Sequence, residues 1–383
     1  MRGPVTDSTG DTMTSAAPRA LHIPSLDGLR CVAIVLVFLS HVQMAAGVPR
    51  FIPGNFGVTL FFFLSGYLIT TLMRQEIEHT GSLSIRLFYV RRALRIFPTC
   101  YLVLAAAAAY GWYSGKMDTW YLIGQVFNLT NYQLIWAGWE APIAPHTDVY
   151  WSLAVEEHFY LAFPALFVAL SRGRSRGRVA AFLLAACGLI LLWRCVLIFS
   201  MGVHYDRTYM GTDTRIDSIL FGCVLALWGN PALDASKISE STWKRVLFPL
   251  SVLGILLTFL VRERVFRETL GYTLQGLCLF SIFITAVRYP SWGVMRWLNL
   301  APVRWIGLLS YAIYLVHPSM LALSAATVGK SVLGLGLTAG ALTVAVAALM
   351  YYGIERPMGR LRKRFNAPAT TAEASTGGIK SLA

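Results

Sequence analysis

Two ionisable residues stand in one apolar run. Residues 26–41 read Leu-Asp-Gly-Leu-Arg-Cys-Val-Ala-Ile-Val-Leu-Val-Phe-Leu-Ser-His, the start of a stretch long enough to cross a bilayer although it carries Arg30 and His41. A charge inside a spanning helix costs roughly 2.5–3.5 kcal/mol on insertion scales, so it is rare without a task. Arg30 and His41 are eleven positions apart. At about 100° per residue they return to within about 20° of one direction, roughly 16 Å apart along one helix face. Two readings fit the pair alone. Arg30 snorkels to a headgroup and His41 ends the helix at the far interface; or one face carries a cation near one membrane surface and a proton-transfer group toward the other.

Other polar groups interrupt apolar stretches in the same way. Phe61-Phe62-Phe63-Leu64-Ser65-Gly66-Tyr67 offers a close helix contact at Ser65-Gly66, or a buried serine that orients a substrate. Trp151-Ser152-Leu153-Ala154-Val155-Glu156-Glu157-His158-Phe159-Tyr160 sets two carboxylates at a membrane boundary, about 100° apart, so at most one faces a given site. Either also suits a helix N-terminus. Asp213 and Asp217 are four apart with Arg215 offset between them, an ion-pair network first and a polar substrate wall second. Ser310, Tyr314 and His317 make an inward polar stripe. Arg91, Arg92 and Arg95 recur at helical spacing on a basic amphipathic segment, fit either for lipid headgroups or for clamping a phosphate-bearing donor.

The elements that must position these residues are membrane helices. The chain of 383 residues is 56% hydrophobic and 14% charged, with a mean hydropathy of +0.57; soluble domains carry about 25% charged residues. We expect an all-α fold, a polytopic membrane helix bundle of about ten transmembrane helices, and no outer-membrane barrel, because period-2 alternation is absent. The spans fall near residues 26–46, 54–73, 94–113, 150–171, 178–200, 214–229, 245–262, 268–288, 303–325 and 331–354, the sixth being the shortest. The first reads as an uncleaved span, not a signal peptide. Residues 1–24 and 358–383 read as disordered cytoplasmic tails, the second basic, around a transmembrane domain at 25–357.

Charge and cysteines narrow the function classes. The net charge of +14 would suit nucleic acid, but the basic residues cluster at helix ends, as the positive-inside rule requires. That rule places both termini in the cytoplasm of a multi-pass cell-membrane protein, with Arg30 near the inner face, His41 toward the outside and residues 114–149 as the longest external loop. That loop is rich in Trp, Tyr and Asn, with His146 and Asp148 near its end. The six cysteines lie in or beside apolar segments without ligand spacing, and we expect neither disulfides nor a metal site.

Taken together, the segments Asp27-Gly28-Leu29-Arg30 with His41, Phe61–Tyr67, Arg91-Arg92-x-x-Arg95-Ile-Phe-Pro98, Trp151–Tyr160, Asp213-x-Arg215-x-Asp217 and Ser310–His317 resemble the acyltransferase family 3 membrane O-acyltransferases. The likeness runs over roughly residues 25–357. It departs from many polysaccharide-modifying members in that no SGNH-type domain is expected after the last span, and in Tyr150 where histidine is frequent. The resemblance implies transfer of an acyl group, commonly acetyl, from cytoplasmic acyl-CoA to a hydroxyl of a sugar-containing or lipid-linked acceptor, with no permanently bound cofactor. It implies His41 as general base, Glu156 as its helper, and Arg30, Arg91, Arg92 and Arg95 at the donor. Ser65, Trp151, Arg215, Asp217, Tyr314 and His317 would line the cavity, with Arg215 or Tyr314 at the oxyanion. The rival class is a proton-coupled membrane transporter, which also uses intramembrane His, Asp, Glu and Arg. It predicts an inverted repeat, and the two halves show no convincing similarity.

Overall fold

The computed structural model describes residues 23–49 and 51–365. Ten long helices carry the fold: α1 (Pro24–Ala46), α2 (Gly54–Thr80), α3 (Ile85–Tyr113), α4 (Tyr150–Ser171), α5 (Arg176–Ser200), α6 (Thr212–Leu227), α7 (Glu240–Leu260), α8 (Arg264–Arg288), α9 (Ala301–Val328) and α10 (Val332–Phe365). Nine of these, among the described residues, are long and apolar enough to cross a membrane. The exception is α6, whose 16 residues rise only about 24 Å against a hydrocarbon core of about 30 Å. It is enclosed by α2, α5 and α8 and nearly all of it is buried in protein. The bundle thus has the expected class, with its sixth element serving as a core helix.

Local sequence sets the ends of α1. Pro24 occupies the first turn, where its fixed φ fits and its missing N–H costs nothing. Gly47 closes the helix at φ +71°, a left-handed conformation that glycine adopts without a Cβ penalty. The tails called disordered fall largely outside the described residues. The part of the second that is described is helical, since α10 runs to Phe365 and its end rests on α3.

Helix α2 is the centre of the bundle. Apolar faces alone do not hold helices together in lipid, so close backbone approach must. A Cβ on Gly66 would stand 1.9 Å from the carbonyl oxygen of Ile219, and one on Gly222 2.0 Å from that of Phe63. The α2–α6 crossing therefore needs a glycine on each side. At one end of the bundle α1 is pinned to α9, where a Cβ on Gly307 would stand 1.8 Å from the Asp27 carbonyl oxygen. Helices α1, α2, α4 and α9 carry His41, Ser65, Glu156 and His317 respectively. The six cysteines are all free, four of them buried.

Candidate active site

His41 and His317 meet across the α1–α9 interface. Their Nδ1 and Nε2 atoms lie 2.7 Å apart and their rings stack at 20° with centroids 4.9 Å apart. The tautomer follows from what surrounds the fully buried His317. Its Nδ1 faces the carbonyl oxygens of Tyr314 at 2.9 Å and Ile313 at 3.1 Å, which can only accept, so Nδ1 carries the proton. Pro318 explains why the Tyr314 carbonyl takes this role: a proline in a helix has no N–H for the carbonyl four residues before it. With Nδ1 protonated, neutral His317 presents a lone pair at Nε2 and accepts from His41 Nδ1–H. The basic nitrogen of neutral His41 is then Nε2.

A polar column leads away from this pair along α4. Ser152, Glu156 and Tyr160 recur every four residues on one face and rise together by about 12 Å. Ser152 Oγ lies 2.7 Å from the Tyr314 hydroxyl, which donates to Val149 O at 3.0 Å. Glu156 accepts from Ser65 Oγ at 3.2 Å and from the Tyr160 hydroxyl at 2.9 Å, and Tyr160 also reaches Ser65 Oγ at 3.1 Å. Glu156 is therefore bound to Ser65 and Tyr160, whereas the group that fixes the His41 ring is His317. The Arg92 guanidinium covers the Tyr160 ring, 5.2 Å from its centroid.

The arginines gather at the far end of that column. Arg30 is ion-paired with Asp27 at 3.0 Å and lies in electrostatic range of Arg95. Arg91 binds Glu76 at 2.5 Å and donates to Phe365 O at 3.1 Å. Arg92 and Arg95 come near Arg362 from the end of α10, and Arg95 is exposed. These cations share one end of the bundle.

Three named residues sit apart from the histidine pair in the contacts they make. Trp151 is buried against Phe62 and Tyr209. Arg215 is fully buried, donates to Thr59 Oγ1 at 3.1 Å and stacks on Tyr272 with 3.7 Å to the ring centroid. Asp217 pairs with Arg194 of α5 at 2.7 Å, both fully buried. The second aspartate, Asp213, binds Arg207 and the Trp193 indole. The ion-pair reading of residues 213–217 thus holds for both aspartates, with partners from other elements and Arg215 in neither pair.

A cavity of about 310 Å³ opens at His41, with His146, Asp148, Val149, Pro318 and Leu321 among its walls. Sequence reasoning left Ser152, Tyr160 and Arg194 without roles. The four-residue repeat of polar side chains along α4 was the available signal for the first two.

Residues 23–352 match the family described as "Acyltransferase domain". The chain belongs to this family. Its curated relatives include the peptidoglycan O-acetyltransferase OatA of Listeria monocytogenes, 29% identical over 79% of this chain and 50% of the relative. The putative peptidoglycan O-acetyltransferase YrhL of Bacillus subtilis is 31% identical over 88% of this chain and 55% of the relative. A putative O-acetyltransferase of Staphylococcus aureus is 29% identical over 88% and 57%. The chain spans about half the length of these relatives. No solved structure matches it significantly. Family membership gives the transporter alternative no support.

Proposed function

We propose that the chain is a membrane O-acetyltransferase that moves acetyl from acyl-CoA, bound on the cytoplasmic side, to a hydroxyl of a sugar-containing acceptor reached from outside. Both termini are cytoplasmic in this reading, which counts the short, protein-enclosed α6 as the tenth crossing beside the nine long helices. The observation that carries it is the His41–His317 pair, of which His41 lines a cavity, in a chain of the acyltransferase family. The names of the relatives favour peptidoglycan as the acceptor.

The donor's phosphates lie among Arg30, Arg91, Arg92 and Arg95, since guanidinium matches phosphate oxygens bidentately. The pantetheine arm runs beside the polar column of α4 and brings the thioester to His41. As the acceptor oxygen attacks the carbonyl carbon, its proton passes to His41 Nε2. The imidazolium charge is shared with His317 through the Nδ1–H bond. The Tyr314 hydroxyl turns its single O–H from Val149 O to the developing oxyanion. The C–S bond breaks, and the thiolate takes the proton from His41. Transfer through an acyl group held on the protein needs the same base at the acceptor oxygen. Glu156 serves the column as a carboxylate held by Ser65 and Tyr160, Trp151 supports the α4 end of the cavity, and Arg215 and Asp217 hold the α5–α6–α8 side in place.

The test is CoA release from acetyl-CoA by the full chain in lipid nanodiscs, with muropeptides as acceptor. Acceptor-dependent release that is lost in His41→Ala supports the reading. Equal rates in the two proteins remove His41 as the base.

A further inference from the structure

The His41 cavity has a second polar wall, built from residues outside the motifs that tie the chain to its family. His146 and Asp148 both line it, and both come from the segment between α3 and α4. That segment is clamped from beneath. Buried Gln125 donates to Thr147 Oγ1 at 2.7 Å and accepts from the Ala144 amide at 2.9 Å, while Thr147 Oγ1 donates to Ala144 O at 2.6 Å. Residues 144 and 147 are thus fixed on either side of His146.

The backbone at His146 is strained. Its φ of +61° lies in the left-handed region, which costs a non-glycine residue about 1–2 kcal/mol. Glycine would sit there without that cost, yet the position holds an imidazole that reaches the cavity. Strain of this kind persists where the surroundings over-determine it, and it collects at functional sites. Burial pushes the His146 imidazole below its ordinary value against the pull of Asp148, with Lys116 adding to the fall, so the ring is neutral at pH 7.

A neutral imidazole and a carboxylate facing the same space, with Met44, Ala45 and Leu321 also in its walls, suit a polyol with an apolar ring face. A carboxylate at Asp148 can accept from one hydroxyl, and the His146 ring can bond a second. A carboxylate in this wall disfavours an acidic group on the same part of the ligand. We propose that His146 and Asp148 are acceptor-positioning residues, which hold two hydroxyls of a sugar so that a third meets His41 and thereby set which hydroxyl is acetylated. This rests on the O-acetyltransferase reading above.

The experiment compares wild type with His146→Asn, His146→Gly and Asp148→Asn in nanodiscs, with acetyl-CoA and muropeptides. Asparagine and glycine both tolerate the left-handed backbone, so these variants keep the loop while removing the ring. Loss of one hydrogen bond to substrate predicts an acceptor KM about tenfold higher, with kcat and the KM for acetyl-CoA in acceptor-free hydrolysis near wild type. Mass spectrometry should show acetyl spread over more than one hydroxyl. Wild-type acceptor KM and a single product in His146→Gly would overturn the inference, as would equal losses of transfer and hydrolysis. Should wild type release no CoA, the underlying reading fails on its own. Direct binding of the muropeptides to wild type and His146→Gly then decides the wall's role: weaker binding to the variant supports it, and equal or undetectable binding refutes it.

Discussion

His317 Nε2 lies 2.7 Å from His41 Nδ1, and the backbone before Pro318 fixes which of the two donates. A histidine thus holds His41 in the tautomer that leaves Nε2 basic, the service a carboxylate gives in a Ser-His-Asp triad. Replacing His317 with leucine should lower kcat about 10²–10³-fold through loss of ring orientation, with the KM for acetyl-CoA near wild type. His317→Gln retains an acceptor oxygen and should recover part of the loss. Stopped-turnover kinetics on both variants checks this, and equal losses would show that accepting from His41 is not what His317 contributes.

The α2–α6 crossing tolerates no side chain on either glycine. In Gly66→Ala the new methyl would stand 1.9 Å from a backbone carbonyl, and in Gly222→Ala 2.0 Å. Backbone cannot yield as a side-chain tip does, so each variant should cost at least about 1–3 kcal/mol and lower the yield of monodisperse protein. Gly336→Ala in α10, where a Cβ meets its nearest neighbour at 3.9 Å, is the control and should behave as wild type. Size-exclusion chromatography in detergent reads both.

These two sites differ in how much of them the sequence disclosed. The Ser65-Gly66 contact and the polar face of Ser310, Tyr314 and His317 were legible because helix periodicity and the bilayer leave few places for small or polar groups. The joining of His41 to His317 was not, since it spans 276 positions and depends on how α1 meets α9. Glu156 was sought beside His41, yet its partners lie on α2 and one turn along its own helix. Asp217 was weighed with Arg215, two positions away, but a helix turns about 200° over two residues. Its partner, Arg194, came from α5. The sixth span was legible as a helix but not as a core element, because its enclosure by three others is a tertiary fact.

Asp234, in the segment between α6 and α7, supplies a pH-dependent clasp. Its carboxylate is bound by both Nη atoms of the buried Arg74. The Arg74 guanidinium holds the Asp234 carboxyl below its usual range. A depressed carboxylate contributes stability that is complete above its unfolded value, about 3.9, and fades as pH falls through the folded value. Asp234→Asn should therefore lower the melting temperature at pH 7 by an amount equivalent to about 1 kcal/mol, because Asp234 is partly exposed and Glu78 still pairs with Arg74. The gap between the two proteins should close below about pH 4. A gap unchanged from pH 7 to pH 3 would remove the ion pair as its cause.

Arg194 and Asp217 test whether a buried charge in this family fold serves structure or chemistry. Both are fully buried, and Arg194 further donates to Thr214 O and Thr273 Oγ1, each at 2.7 Å. Removing one member leaves the other charge uncompensated, so Asp217→Asn should cost about 3–5 kcal/mol. Replacing both, as Arg194→Met with Asp217→Leu, removes the uncompensated charge together with the pair and should restore most of the stability. Since Asp217 holds α6 to α5 and shares no contact with the histidine pair among those described, the double variant should also regain acetyl transfer to within a fewfold of wild type. Differential scanning fluorimetry and CoA release, measured on the same nanodisc samples, read the two quantities separately. A double variant that is stable and inactive would move Asp217 from the frame of the site to its chemistry.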